Sequence, residues 1–375
     1  MNPLAAIIFR KWFYALATFL VSSALAFPLA LLVMATPAYA GGEHQLLKLG
    51  QLKLEGGATL PDAMVSYVTH GTLNAEKSNA ILLPSFYAGD HHGYDFLIGT
   101  DKALDPKNYF IIVTDMFANG LSSSPSNTPP PHDGPNFPEI STRDNVNASY
   151  RLVTEKFGIK HLKAIIGFSM GAQQAYQWAV SYPDFMDGIV AYCGTAKEYP
   201  HGVVRLEGFK SALMADIAFE GGNYKKPPIK GLKAGARHWA GWGFSQEWYR
   251  RELYNQFGHQ TVEDHLLKFW EPFFGSMDAN NLISQAVTWQ KNNVGNTAGI
   301  DGDHEKALRS IKARVLSMPS QTDLYFPPQY SEYEATQLTN VTLVPIPSIW
   351  GHIAGLGINT PDSEFLNQKI KEFLK

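Results

Sequence analysis

Short apolar runs alternate with amphipathic stretches along most of the chain. The runs at 64–69, 80–83, 109–114, 164–166, 189–192, 315–318 and 341–344 are rich in β-branched, leucine and aromatic residues. They are almost continuously hydrophobic, the pattern of strands buried on both faces of a mostly parallel sheet. The stretch 145–157 places Val146, Tyr150, Val153 and Phe157 on one helical face, with Ser141 or Thr142 as a start signal and Gly158 as a stop. A last helix is expected over 361–374, capped by Thr360, with Pro361 in its first turn. Strands alternating with helices predict an α/β chain, a central sheet covered by helices.

Two regions break the alternation. The stretch 119–138 is rich in Ser, Pro and Asn. A loop of that length inside a compact domain usually has a function. The stretch 196–310 has no run of buried-strand character but carries Trp239, Trp242, Trp248, Trp270 and Trp289. It reads as a helical insertion over the sheet. Its aromatic residues either pack insertion against core or line an apolar acyl pocket.

The N-terminus has a different grammar. Arg10 and Lys11 precede an apolar stretch over 12–34, and Pro37 leads into Ala38-Tyr39-Ala40. Basic, apolar and small-residue segments in that order predict a secretory signal peptide over 1–40, cut after Ala40. The mature protein, 41–375, would then be periplasmic or secreted and would not be held at a membrane. An uncleaved anchor is the alternative, because the apolar stretch is long enough to span a bilayer.

Composition narrows the partners. Of the 375 residues, 45% are hydrophobic and 17% charged, which excludes wholesale disorder. The net charge is -3 and no dense Lys/Arg run occurs, so no nucleic-acid partner is expected. Cys193 is the single cysteine, so an exported form must be stable without an intrachain disulfide.

The candidate chemistry centres on Gly167-Phe168-Ser169-Met170-Gly171. The pentapeptide alone is a weak signal. Between a strand and the helical stretch 172–180, however, it describes a sharp turn that lifts the Ser169 hydroxyl to a helix N-terminus. A serine needs a base to take its proton. In such folds the acid and then the histidine follow on loops after later strands. Asp323 follows the run 315–318, and His352, the only histidine beyond Asp323, follows 341–344. Asp301 and Asp303 precede the strand and read as solvated loop charges. The oxyanion donors are expected from the backbone of Met170 and of Tyr87, in the loop Pro84-Ser85-Phe86-Tyr87-Ala88-Gly89. His91 and His92 lie nearby, but no metal-binding pattern accompanies them. Neither a metal nor another cofactor is expected.

Taken together, these residues and several flanking motifs resemble the homoserine O-acetyltransferase family of the α/β hydrolases. The motifs are His70-Gly71-Thr72-Leu73-Asn74, Asn79-Ala80, Asn119-Gly120, Asn136-Phe137-Pro138, Gln177-Trp178-Ala179, Tyr182-Pro183, Asp323-Leu324-Tyr325-Phe326-Pro327-Pro328 and Gly351-His352. The resemblance implies an α/β-hydrolase fold with a helical lid over about 196–310, a Ser169–Asp323–His352 triad and oxyanion positions at Tyr87 and Met170. It also implies that the lid forms an active-site tunnel and a homodimer contact. The chain departs from the family at substrate-binding positions. Ile353 stands where the family has an Asp that holds the substrate amine. Lys197 stands where the family's carboxylate-binding Arg is expected, and Ser85 where a His is common. The expected activity is therefore hydrolysis of a small ester through an acyl-Ser169 intermediate. The alternative is O-acyl transfer from an acyl-CoA donor, for which an exported enzyme would find little substrate. A non-catalytic binding protein is disfavoured by the intact Ser, Asp and His.

Overall fold

The computed structural model describes residues 44–375, so the segment read as a signal peptide lies outside the described residues. Eight strands form one sheet in the order β1-β2-β4-β3-β5-β6-β7-β8. They are β1 (Gln45–Lys53), β2 (Thr59–His70), β3 (Ala80–Pro84), β4 (Phe110–Thr114), β5 (Leu162–Phe168), β6 (Met186–Tyr192), β7 (Arg314–Met318) and β8 (Val341–Leu343). β1 and β2 pair antiparallel, as do β2 and β4, and every later pairing is parallel. β3 and β4 are buried along their whole length, which is why both read as unbroken apolar runs. β1 was not anticipated. Most of QLLKLGQLK is solvent-exposed at the sheet edge, so its sequence lacks a buried run.

The first core helix, α1 (Thr142–Arg151), starts three residues before the expected position because Ser141 and Asp144 form a reciprocal capping box. Its last turn widens over Leu152–Lys156 before Gly158 ends it with φ +62°. α2 (Met170–Ser181) leaves the end of β5. At the end of the chain a helix spans Thr360–Phe373, with Asn359 rather than Thr360 in the capping position.

Between β6 and β7 the chain is helical, as expected. In order come α3 (Pro200–Met214), α4 (Ile229–Gly243), α5 (Gln246–Arg250), α6 (Val262–His265), α7 (Glu271–Gly275), α8 (Ala279–Gln290) and α9 (His304–Arg309). This lid shares one hydrophobic core with the upper face of the sheet. Leu206, Phe209, Trp239, Trp248, Trp270 and Trp289 lie in the same buried cluster as Phe168, Met318 and Ile353. Polar contacts fix its position. Gln285 accepts from the Ala88 amide at 2.8 Å and donates to the Ala118 carbonyl at 2.7 Å, tying α8 to two loops of the core. The Ser/Asn-rich stretch 119–138 is pinned in the same way. Ser122 and Ser123 accept from the Ser66 and Met64 amides of β2, and Asn281 of α8 bonds Ser126 at 2.8 Å. Its polar residues hold lid to sheet, which accounts for a long loop that stays ordered. No helix among the described residues is long and apolar enough to cross a membrane.

One buried contact in the lid titrates. His265 accepts from Trp270 Nε1 at 3.1 Å through Nε2, which leaves its Nδ1 to donate to His259 Nδ1 at 3.1 Å. Burial holds His265 down at about 3, against 6.5 for the free side chain. The unfolded chain therefore binds a proton that the folded one refuses. The associated stability is complete above about pH 6.5 and is lost progressively as the pH falls toward 3. Melting temperature should fall by at least ~5 °C between pH 7 and 4.5, and His265→Gln, which keeps an acceptor for Trp270, should flatten that fall. Identical pH slopes for the two proteins in thermal melts would assign the acid sensitivity elsewhere.

Candidate active site

The backbone between β5 and α2 reverses at Ser169, which has φ 54° and ψ -122°. A non-glycine residue pays for such a conformation, and it persists only where the surroundings impose it. Three glycines make room for it. A Cβ on Gly167 would lie 2.0 Å from the Gly171 carbonyl, one on Gly171 2.5 Å from the Pro84 carbonyl, and one on Gly194 2.6 Å from the Ser169 carbonyl. The turn is fastened to its neighbours by the Ser169 amide, which donates to Tyr192 at 3.0 Å. The buried Tyr94 hydroxyl donates to the Pro84 carbonyl at 2.6 Å and accepts from the Phe168 amide at 3.1 Å. The ends of β3 and β5 are thereby locked together.

His352 lies in a 3-10 turn, Gly351–Leu356, after β8. Its Nε2 is 3.0 Å from Ser169 Oγ and its Nδ1 is 2.7 Å from Asp323 Oδ2. The other carboxylate oxygen of Asp323 accepts from the amides of Tyr325 and Phe326 at 2.7 and 3.1 Å. The two loops are joined by Thr322, whose hydroxyl donates to Ser348 and accepts from the Gly351 amide. The lid packs tightly on Gly351, at φ +63°: a Cβ there would be 2.8 Å from the Gly243 carbonyl. The imidazole is packed against Phe168, Tyr325 and Phe326, with ring centroids 4.7, 4.3 and 5.8 Å away. All three polar residues are at least 95% buried, so the hydrogen bonds that join them are shielded from bulk water.

An alpha/beta hydrolase fold family model matches residues 80–229. An ethyl acetate hydrolase from Pseudomonas veronii is 38% identical over 330 residues, spanning 87% of this chain and 93% of that protein. The crystal structure of the acetyl esterase MekB superposes with a TM-score of 0.87 at 37% identity, covering 89% of this chain and 97% of MekB. A homoserine O-acetyltransferase from Symbiobacterium thermophilum is 29% identical, over 86% of this chain and 92% of that enzyme. The chain belongs to the α/β hydrolases. Within them it is a homoserine O-acetyltransferase-like member.

In this hydrolase the loop expected to supply an oxyanion donor is tightly held. The Ser85 hydroxyl accepts from the Met116 amide and its carbonyl accepts from Gln174, both at 2.8 Å. Tyr87 is buried, stacks on Trp239 with centroids 5.0 Å apart, and donates its hydroxyl to Leu282 of α8. Met170, the first residue of α2, is buried in the same core cluster. His91 is held against the core. Its ring and its amide both bond Asp115, which anchors the turn after the loop. Asp303 caps α9 by accepting from the Lys306 amide.

The substrate-side residues divide. Ile353, buried, sits directly beside His352. Lys197 is not where the sequence comparison placed the cationic contact. Its ammonium is 5.8 Å from the Tyr199 ring, and Tyr199 stacks on Tyr330 and donates to Glu334, outside the triad's neighbours. The cation beside the triad is Arg205 of α3. Its guanidinium lies 4.2 Å from the ring of Tyr325, 4.6 Å from that of Trp289 and 5.1 Å from that of Trp239. Sequence reasoning missed it, although a signal existed: Gly202, Arg205, Leu206, Phe209 and Leu213 share the buried face of α3. Glu198 is near it and also buried. Burial pushes this carboxyl up to about 8, against the opposing pull of Arg205 and of hydrogen bonds from Trp289 and Gln173.

Proposed function

We propose that this hydrolase is a serine esterase that cleaves a small ester through an acyl-Ser169 intermediate. The carrying observation is the unbroken chain from Ser169 Oγ through His352 to Asp323 at a strained strand-to-helix turn. His352 takes the Ser169 proton as Oγ bonds to the ester carbonyl carbon. The negative oxygen that forms is received by the Tyr87 and Met170 amides at the N-terminus of α2. The intermediate collapses, the C–O bond to the alcohol breaks, and His352 returns the proton to the departing oxygen. Water then repeats the sequence on the acyl-enzyme and releases a carboxylic acid and free Ser169. Relatives named as an acetyl esterase and an ethyl acetate hydrolase support a short acyl group. The enzyme acts as an exported protein that starts at Gly41. Sequencing the mature N-terminus from the cell envelope tests this, and recovery of intact Met1 in membranes would contradict it.

Ile353 separates hydrolysis from transfer to an amino acid. Homoserine carries an ammonium that must lose water to enter this buried site. With Ile353 beside His352, no carboxylate there can receive it. A lost ammonium partner costs roughly 3–5 kcal/mol, more than about a hundredfold in rate. Hydrolysis of short esters without an ammonium should therefore exceed acetyl transfer from acetyl-CoA to homoserine by at least that factor in kcat/KM. Faster transfer to homoserine would overturn the esterase reading in favour of an acyltransferase.

A further inference from the structure

Arg205 is the most unusual group near the site. Its residue is 1% exposed, and Nε, Nη1 and Nη2 all lack a hydrogen-bond partner. A guanidinium carries five N–H donors and cannot give up its proton. Leaving them unmet in a buried place is costly, and most buried cations are paired for that reason. The rings of Trp239, Trp289 and Tyr325 compensate the charge through their faces but accept no in-plane hydrogen bond. Nearby acids are already engaged. Asp323 is spent on His352 and on two amides. Glu198 takes bonds from Trp289 and Gln173, and burial favours its neutral form.

The location gives this unmet cation a direction. Tyr325, on which Arg205 stacks, also lies against His352. Trp239, a second wall of the same cage, stacks on Tyr87 of the oxyanion loop. Trp289, the third, stacks on Phe326, which also borders His352. The guanidinium is thus one aromatic ring away from the reacting groups, among residues of α3, α4 and α8 of the lid. We propose that Arg205 is a substrate-binding residue that receives a carboxylate carried by the ester, so that the preferred substrates are short anionic esters rather than wholly neutral ones. A planar carboxylate meets the guanidinium edge with two parallel hydrogen bonds while its rings hold the faces. The single ring between Arg205 and His352 limits the spacer between carboxylate and scissile carbonyl to a short chain. The carboxylate can belong to the acyl part, as in a half-ester of a dicarboxylic acid, or to the alcohol part, as in an acyloxy acid. This inference rests on the esterase reading above and names its substrate class.

The test compares matched pairs by proton release. Ethyl hydrogen succinate against ethyl butanoate probes the acyl side, and acetoxyacetate against propyl acetate probes the alcohol side. The wild type should prefer the anionic member of one pair by at least ~tenfold in kcat/KM, a difference of about 1.4 kcal/mol. In Arg205→Met that ratio should fall by at least ~tenfold, and Arg205→Lys should lie between, keeping charge without the fork. Succinate should also inhibit the wild type more strongly than butanamide, which carries no carboxylate. This readout needs no variant to fold. A preference for the neutral member in both pairs, an unchanged ratio in Arg205→Met, or equal inhibition by succinate and butanamide would overturn the proposal. Absence of any ester hydrolysis would instead count against the esterase reading, since inhibitor binding to Arg205 can still be followed by protection against thermal unfolding.

Discussion

Ser169→Ala is expected to lower kcat/KM for short-ester hydrolysis by at least ~10⁴-fold while the protein stays folded. The hydroxyl is the atom that forms the covalent bond, and no other nucleophile shares the turn. Without it, water must attack directly, helped only by the oxyanion donors and by binding. The fold should tolerate the change. Alanine keeps the same Cβ at φ 54°, so the room made by Gly167, Gly171 and Gly194 is still the right shape. What is lost is one buried hydrogen bond to His352 Nε2, worth about 1 kcal/mol net. Rates on an ester panel, a fluorophosphonate label and a thermal melt check the three parts together. Retained activity within tenfold of the wild type, or labelling that survives the substitution, would remove Ser169 as the nucleophile.

The sheet was legible wherever burial was two-sided. The runs behind β3, β4, β5 and β6 are apolar at nearly every position because helices or lid cover both faces, and the structure shifts their bounds by only a few residues. β1 was not legible, since an edge strand that buries only Leu49 and Leu52 need not announce itself. Ser141 gave away the start of α1, because a capping box is a local device that the sequence spells out. The widened last turn of that helix is not encoded locally. The lid was legible as helix and as aromatic, but not as a binding surface. Each of its tryptophans has the same signature whether it packs core or lines a site.

That Ser169, Asp323 and His352 meet could be anticipated because chain order and strand ends constrain where loops lie. Which lid residue faces them was harder to see, because α3 also carries apolar residues, Val204 and Met214, on its exposed side. Lys197 follows from the family resemblance, which sets the carboxylate-binding Arg at the start of the lid, yet its ammonium lies over Tyr199. Arg205, eight residues further on and inside α3, is brought inward by the same face that buries Leu206 and Phe209. A charged residue on a stripe of apolar ones is the signal to heed. It is either a mistake in the assumed face or a group with work in the interior.

Asp323→Asn is expected to cost about 10³- to 10⁴-fold in kcat, nearly as much as removing the nucleophile, through a tautomer rather than through a lost contact. The carboxylate has two jobs at once. Oδ1 accepts from the Tyr325 and Phe326 amides, and Oδ2 accepts from His352 Nδ1. Asparagine has only one oxygen. Two buried amide donors outweigh one imidazole, so that oxygen should turn toward Tyr325 and Phe326, which leaves the amide NH₂ facing His352. The imidazole must then accept at Nδ1, and its single proton moves to Nε2, the atom that has to take the proton of Ser169. The geometry survives and the base is gone. The opposite orientation would set the asparagine NH₂ against two amide donors, at a cost of about 1–3 kcal/mol for each unmet buried group. The prediction therefore has a signature beyond the rate: imidazole nitrogen shifts should place the His352 proton on Nδ1 in the wild type and on Nε2 in Asp323→Asn, with melting temperature little changed. A loss of less than tenfold, or a His352 tautomer that does not switch, would show that Asp323 does not orient the base.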